Sequence, residues 1–195
     1  LVISQTLTTS QKDFLTKIIN ENKSFVICGG TGSGKTTLLN SLLSICEDNQ
    51  RILIIEDSRE LNPQHPHVVS LEGRPANIEG MGLITMKALI KQSLRMRADR
   101  LIIGEVRGDE VIDWLGALNT GHIGSAGTIH ANSIHEVIIR FESLGLMAGL
   151  SKETYPYLNY EKTLMTKEEI IDVVCKEGNV TLEELSSGSR KSEIV

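Results

Sequence analysis

Residues 24 to 44 restrict this chain more than any other stretch. Ser24-Phe25-Val26-Ile27-Cys28 is a short apolar strand. Gly29-Gly30-Thr31-Gly32-Ser33-Gly34 is a glycine-rich loop, and Lys35-Thr36-Thr37 opens an amphipathic helix that continues through Leu38, Leu39, Leu42 and Leu43. Gly29 and Gly34-Lys35-Thr36 satisfy the P-loop spacing of Gly, four residues, Gly-Lys-Ser/Thr. The spacing has a chemical reason. Glycines allow positive φ and let backbone N–H groups approach phosphate oxygens with no Cβ in the way. The helix aims its positive dipole end at the same oxygens. Lys35 reaches the β- and γ-phosphates as a mobile cation, and the Thr36 hydroxyl suits Mg²⁺. The phosphate-binding set is therefore Gly30, Thr31, Gly32, Ser33, Gly34, Lys35, Thr36 and Thr37.

The 195 residues suffice for one sizeable domain, or one with an appendage. A net charge of −5 disfavours a chain that wraps nucleic acid over its whole surface, without excluding a local basic site. Cys28, Cys46 and Cys175 are far apart and lack metal-ligand spacing, which reads as reduced thiols. His65 and His67 sit in a loop broken by Pro63 and Pro66, with no further ligands at metal spacing, and read as loop histidines. No apolar run reaches membrane-spanning length, so membrane association is expected through partners.

Strand-like and helix-like segments alternate along the chain. Thr8 and Gln11 stand at capping-box spacing before Phe14, Leu15, Ile18 and Ile19. The run Arg51–Asp57 is a buried parallel strand that ends in Glu56 and Asp57. Those carboxylates read equally as ligand-side groups or as a solvated strand end. Val68–Leu71 is a short strand, and 72–82 a glycine-containing loop. Ile84–Met96 is a helix with Lys87, Lys91 and Arg95 along one side, extended by Arg97 and Arg100. That basic side is either a solvated face or a surface for phosphate, nucleic acid or an acidic neighbouring subunit. Arg100–Glu105 is the next strand, Val111–Leu118 a helix, Ala126–His130 a strand and Val137–Leu146 a helix. This order predicts an α/β fold with a mainly parallel sheet. Past Gly149 the pattern changes: tyrosines cluster over 155–160, a helix is expected from Thr166 to about Lys176, and 186–191 reads as a flexible tail.

Four motifs now stand in order: the P-loop, Ile-Glu-Asp-Ser-Arg-Glu-Leu (55–61), Leu-Arg-Met-Arg-Ala-Asp-Arg-Leu-Ile-Ile-Gly-Glu-Val-Arg-Gly (94–108) and Asn-Thr-Gly-His-Ile-Gly-Ser-Ala-Gly-Thr-Ile-His-Ala-Asn-Ser (119–133). Over residues 1–150 they resemble the secretion ATPases of type II and type IV systems, closest to the Tad/CpaF pilus-assembly branch. The resemblance implies a RecA-like P-loop domain that hydrolyses ATP with Mg²⁺. It identifies 55–61 with the family's aspartate box, with Glu56 close to the nucleotide, and 101–105 with the Walker B strand. Glu105 then becomes the water-polarising carboxylate and, with Thr36, a Mg²⁺ contact; Gly104 stands where most P-loop enzymes carry Asp. The segment from His122 to His130 matches the histidine box, which implies that His130 senses the γ-phosphate, and Arg107 is a candidate for charge neutralisation.

The same resemblance implies a homo-oligomer, expected to be a hexameric ring, at the cytoplasmic face of the inner membrane. The ring would work with pilus or secretion platform proteins, without nucleic acid and without inserting into the membrane. The family's N-terminal domain, which closes over the nucleotide, is not represented before Leu1, and 151–195 diverges from the usual ending. These two departures predict weak turnover for residues 1–195. Two other readings are a RecA-like nucleic-acid translocase that uses the Lys87–Arg100 region, and a non-catalytic ATP-binding assembly module.

Overall fold

The strands of the sheet are short and mostly apolar, and all pair in parallel. The computed structural model describes residues 7–119 and 121–149 and the strand at 170–174. In chain order the elements are α1 (Thr9–Asn20), β1 (Ser24–Cys28), α2 (Lys35–Leu43), β2 (Ile52–Glu56), β3 (Val68–Glu72), α3 (Met86–Ser93), β4 (Arg100–Ile103), α4 (Glu110–Asn119), β5 (Ala126–Ile129), α5 (Ile134–Met147) and β6 (Ile170–Val174). They build one six-stranded sheet of order β3-β2-β4-β5-β1-β6. Parallel neighbours need crossovers: α2, α3 and α4 carry the chain from β1 to β2, β3 to β4 and β4 to β5, whereas β2 reaches β3 through the loop 57–67, and helices cover both faces.

The alternation of side chains along each strand divides the core in two. Val26, Cys28, Leu53, Ile55, Leu101 and Ile103 pack against α3, α4 and α5. Phe25, Ile27, Ile52, Ile54 and Ile102 pack against Leu15, Ile18 and Ile19 of α1 and the leucines of α2. Trp114, at core spacing in the sequence, is buried and meets Phe141 edge-on, with ring centroids 6.5 Å apart.

Local chemistry sets the helix ends. The expected capping box at α1 is present: Gln11 N–H donates to Thr8 Oγ1 (3.2 Å) and Thr8 N–H to Gln11 Oε1 (2.8 Å). The third helix is shorter than the sequence expectation of 84–96. Ile84 is taken by an antiparallel backbone pair with Arg74, so Thr85 becomes the cap. Beyond Ser93 the N–H groups of Arg95 and Met96 bond three residues back, and Arg97 adopts φ 53°, which stops the helix.

Three expectations change. The basic side finds acidic partners within the chain: Lys87 Nζ lies 2.6 Å from Asp109 and Lys91 Nζ 3.7 Å from Asp113, both at the start of α4. Arg100 does not extend that surface. It is buried at the opposite edge of the sheet and donates to Gln50 Oε1 (2.7 Å), Gly124 O (3.0 Å) and Ile19 O (2.7 Å). The helix expected over 166–176 is replaced at its centre by β6, which pairs with β1 from Ser24↔Ile170 to Cys28↔Val174. Ile-Ile-Asp-Val-Val is rich in β-branched side chains, which favour a pleated strand over a helix. The tyrosine cluster and the 186–191 tail lie outside the described residues.

Candidate active site

The P-loop leaves the carboxyl end of β1, which is buried along its whole length. Gly32 and Gly34 adopt φ of 74° and 88°, left-handed values at which a side chain would be strained. Gly34 caps α2 with no side-chain hydrogen bond, so the first N–H groups of that helix stay available to an anion. A Cβ at Gly30, Gly32 or Gly34 would meet nothing within 4 Å, so the cradle is open on its ligand side. Lys35 is only 7% exposed, and its Nζ donates to Gly30 O (2.8 Å) and Gly29 O (3.1 Å). The hydroxyl of Ser33 is buried with no partner among the described residues.

The next two strands in the sheet bring the other groups to the same edge. Thr128 Oγ1 donates to Gly104 O (2.6 Å) and Val106 N–H to Thr128 O (2.8 Å), which aligns the ends of β4 and β5. Glu105 and His130 follow those ends. His130 Nε2 stands 2.7 Å from Glu105 Oε1 without hydrogen-bond alignment, and Arg107 donates to Glu105 Oε2. That bond raises the Arg107 pKa, with Asp57 and Glu60 adding to it through their charge. Arg107 and Gly108 N–H both donate to Glu110 Oε1 (2.7 and 2.8 Å), which fixes the turn after Glu105. The P-loop, Arg107, His130 and α5 line a cleft of about 710 Å³, which also takes in Asn132, Glu136 and Arg140.

Glu56 sits at the end of β2, 5% exposed. Its Oε1 accepts the N–H groups of Leu61 (3.0 Å) and Glu60 (3.1 Å). Burial pushes its pKa up, and those two hydrogen bonds act against the rise. The structure also explains Gly104. A Cβ there would lie 2.5 Å from Glu56 Cγ, so this glycine is the space that the Glu56 side chain fills.

The histidine box is split by β5. His130 lies at the site, whereas His122 lies before β5 at the opposite edge, where its carbonyl accepts from Ser125 Oγ (2.7 Å). The sequence reading missed Glu60, whose Oε2 accepts from Thr36 Oγ1 (3.4 Å). Its signal was present as the second glutamate of Ile-Glu-Asp-Ser-Arg-Glu-Leu. His65 is structural: its Nδ1 accepts from His67 N–H, which leaves Nε2 to donate to Glu47 O (2.9 Å).

This geometry has counterparts among known proteins. A family model described as type II/IV secretion system protein matches residues 3–189. The chain belongs to that family. A putative conjugal transfer protein of Mycobacterium tuberculosis is 53% identical over 135 residues, covering 69% of this chain and 38% of its own. The type IV secretion system protein PtlH of Bordetella pertussis is 36% identical over 165 residues, covering 83% and 47%. Among solved structures, the VirB11 ATPase of the Brucella suis type IV secretion system, in complex with sulphate, superposes with a TM-score of 0.68 at 29% identity. That match covers 85% of this chain and 48% of the other. The chain thus spans less than half the length of each of these members of the secretion family. The RecA-like architecture, a parallel sheet with helices on both faces, is shared with them.

The site fits a nucleoside triphosphate with Mg²⁺. The open glycine cradle, the uncapped N-terminus of α2, the inward Lys35 amine and the unpartnered Ser33 hydroxyl all suit an anion. Among the described residues no cluster of three or more His, Cys, Asp or Glu forms a metal cage. Mg²⁺ in such sites relies on one or two protein oxygens and on the phosphates, which Thr36 and its neighbouring carboxylates can match.

Proposed function

We propose that this chain carries the ATP-hydrolysing centre of a motor that powers pilus assembly or secretion across the cell envelope. One observation carries the reading: a complete P-loop and the Glu105–His130–Arg107 group converge at the same edge of one sheet. Membership of the type II/IV secretion family and the likeness to the VirB11 ATPase support it. In this reading the motor works as a homo-oligomer, a hexameric ring. It sits in the cytoplasm, peripheral to the inner membrane, on pilus or secretion platform proteins. No helix among the described residues is long and apolar enough to cross a membrane. Lys87 and Lys91 pair with Asp109 and Asp113 within the chain, which supports the motor reading over a nucleic-acid translocase.

Phosphoryl transfer to water needs positioning and charge neutralisation more than covalent help. The N–H groups from Gly30 to Thr37 hold the phosphates, and Lys35 gives up the carbonyls of Gly29 and Gly30 to neutralise them. Thr36 would hold Mg²⁺, with Glu105 and Glu60 as the nearby carboxylates. The metal, when bound, supplies Lewis-acid neutralisation of phosphate charge. Glu105 orients the attacking water and takes up its proton as oxygen bonds the γ-phosphorus and the bond to ADP breaks. For that role it must leave Arg107 and His130, both of which are then free to face the γ-phosphoryl oxygens. Glu105→Gln keeps the shape and loses the carboxylate. We expect ATP to bind as in the wild type while single-turnover hydrolysis falls by about 10²–10³-fold. Hydrolysis at the wild-type rate would remove Glu105 from this role.

A further inference from the structure

Every backbone N–H from Glu60 to Gln64 has an assigned acceptor, and together these acceptors describe a device. Glu60 and Leu61 donate to Glu56 Oε1. Asn62 donates to Asn40 Oδ1 (2.8 Å) and Gln64 to Ser44 Oγ (2.9 Å). The one position with no donor is Pro63, which is buried like Leu61, while Glu60, Asn62 and Gln64 are exposed. That alternation marks an extended segment. On α2 the contacts fall at Thr36, Asn40 and Ser44, its C-cap, one turn apart along one face, opposite Glu60, Asn62 and Gln64. The spacings match: four helical residues rise about 6 Å, and two extended residues span about 6.6 Å. The loop therefore lies along the P-loop helix as a strap fastened at three points.

We propose that Asn40, Ser44 and Glu56 are positioning residues whose task is to hold the Glu60 carboxylate against the Thr36 hydroxyl, and so to set the metal affinity of the site. The inference rests on the ATPase reading. Asn40 and Ser44 are half-buried polar groups on the helix that follows the P-loop, away from the phosphate cradle itself. Glu56 presses on the root of the strap from β2, in the space that Gly104 leaves. The strap also ties Glu60 to the same rigid body as Lys35, so carboxylate and cradle move together.

The test uses residues 1–195 with Asn40→Ala, Ser44→Ala and Ser44→Thr. Hydrogen exchange at residues 60–64 reports the strap without nucleotide. Equilibrium ATP binding is measured in chelator and across a Mg²⁺ titration. Both alanine variants should exchange faster at the Asn62 and Gln64 amides. The Mg²⁺ midpoint for ATP binding should rise roughly three- to ten-fold, the scale of one lost hydrogen bond. Affinity in chelator should stay at the wild-type value, and Ser44→Thr, which keeps the hydroxyl, should match the wild type in both readouts. Faster exchange with an unchanged Mg²⁺ midpoint overturns the inference and leaves the strap a structural feature only. A wild-type chain that binds no ATP overturns the ATPase reading and this inference with it.

Discussion

Glu56 is a carboxylate that the fold buries almost fully at the end of β2. The sequence marks it as a strand-end acid beside a ligand-binding edge. The structure turns it toward the backbone of Glu60 and Leu61, where it is almost fully buried. Burial raises its pKa above the usual carboxylate value, so between that value and the folded one the native state binds more protons than the unfolded chain. Stability contributed by the neutral form is then present at low pH and lost as pH rises through the raised folded pKa. Glu56→Gln keeps the accepting oxygen and cannot ionise. The variant should match the wild type in urea unfolding below the usual carboxylate range and exceed it at pH 7. A stability difference that does not vary with pH would show that the hydrogen bonds fully offset burial. Lys35 and the glycines were readable because their spacing is their chemistry. Asn40 and Ser44 were not, because their partners lie 22 and 20 residues away and no local pattern encodes such contacts.

At the scale of elements, the alternating strands and helices were readable because apolar periodicity decides which face each buries. The failures have separate causes. The Thr166-Lys167-Glu168-Glu169 start resembles a helix cap, yet the following β-branched run pairs with β1. The Lys87 and Lys91 side looked free because its partners lie far along the chain, Asp109 just before α4 and Asp113 in its first turn. Arg100 looked like part of a basic surface, whereas it joins three elements at the edge of the sheet away from the P-loop. Its guanidinium holds the last turn of α1 through Ile19 O, the turn before β5 through Gly124 O, and Gln50 before β2. Arg100→Met keeps the aliphatic stem, leaves the Gly124 carbonyl without its donor and leaves Ile19 O with the Asn22 N–H alone. The expected cost is roughly 1–3 kcal/mol, read from the urea midpoint at a constant m-value. A loss under about 0.5 kcal/mol, the range of ordinary surface changes, would mean that water replaces the guanidinium.

For the whole molecule, the sheet edge places all the identified phosphate-handling groups on one chain, but their resting contacts are with one another. Lys35 is bonded to P-loop carbonyls, and Glu105 is engaged by Arg107 and His130. In the proposed reaction each of them changes partner, and the cleft beside the P-loop, lined by Arg107 and His130, is open. An arginine supplied from outside a P-loop domain adds about 10³–10⁵-fold in rate where it acts. The relatives compared above are more than twice as long as the part that this chain matches. We therefore expect residues 1–195 to bind ATP well and to turn it over slowly, with kcat rising in a chain of the relatives' full length. We also expect kcat to rise with protein concentration in that longer chain, as copies assemble and complete one another's sites. The measurement is kcat at saturating ATP for both chains across matched concentrations, with mass by sedimentation in parallel. Equal, concentration-independent turnover would place the whole catalytic machinery within these 195 residues. Arg107 would then be the group that meets the developing charge, and Arg107→Ala, otherwise a modest change, would abolish turnover outright.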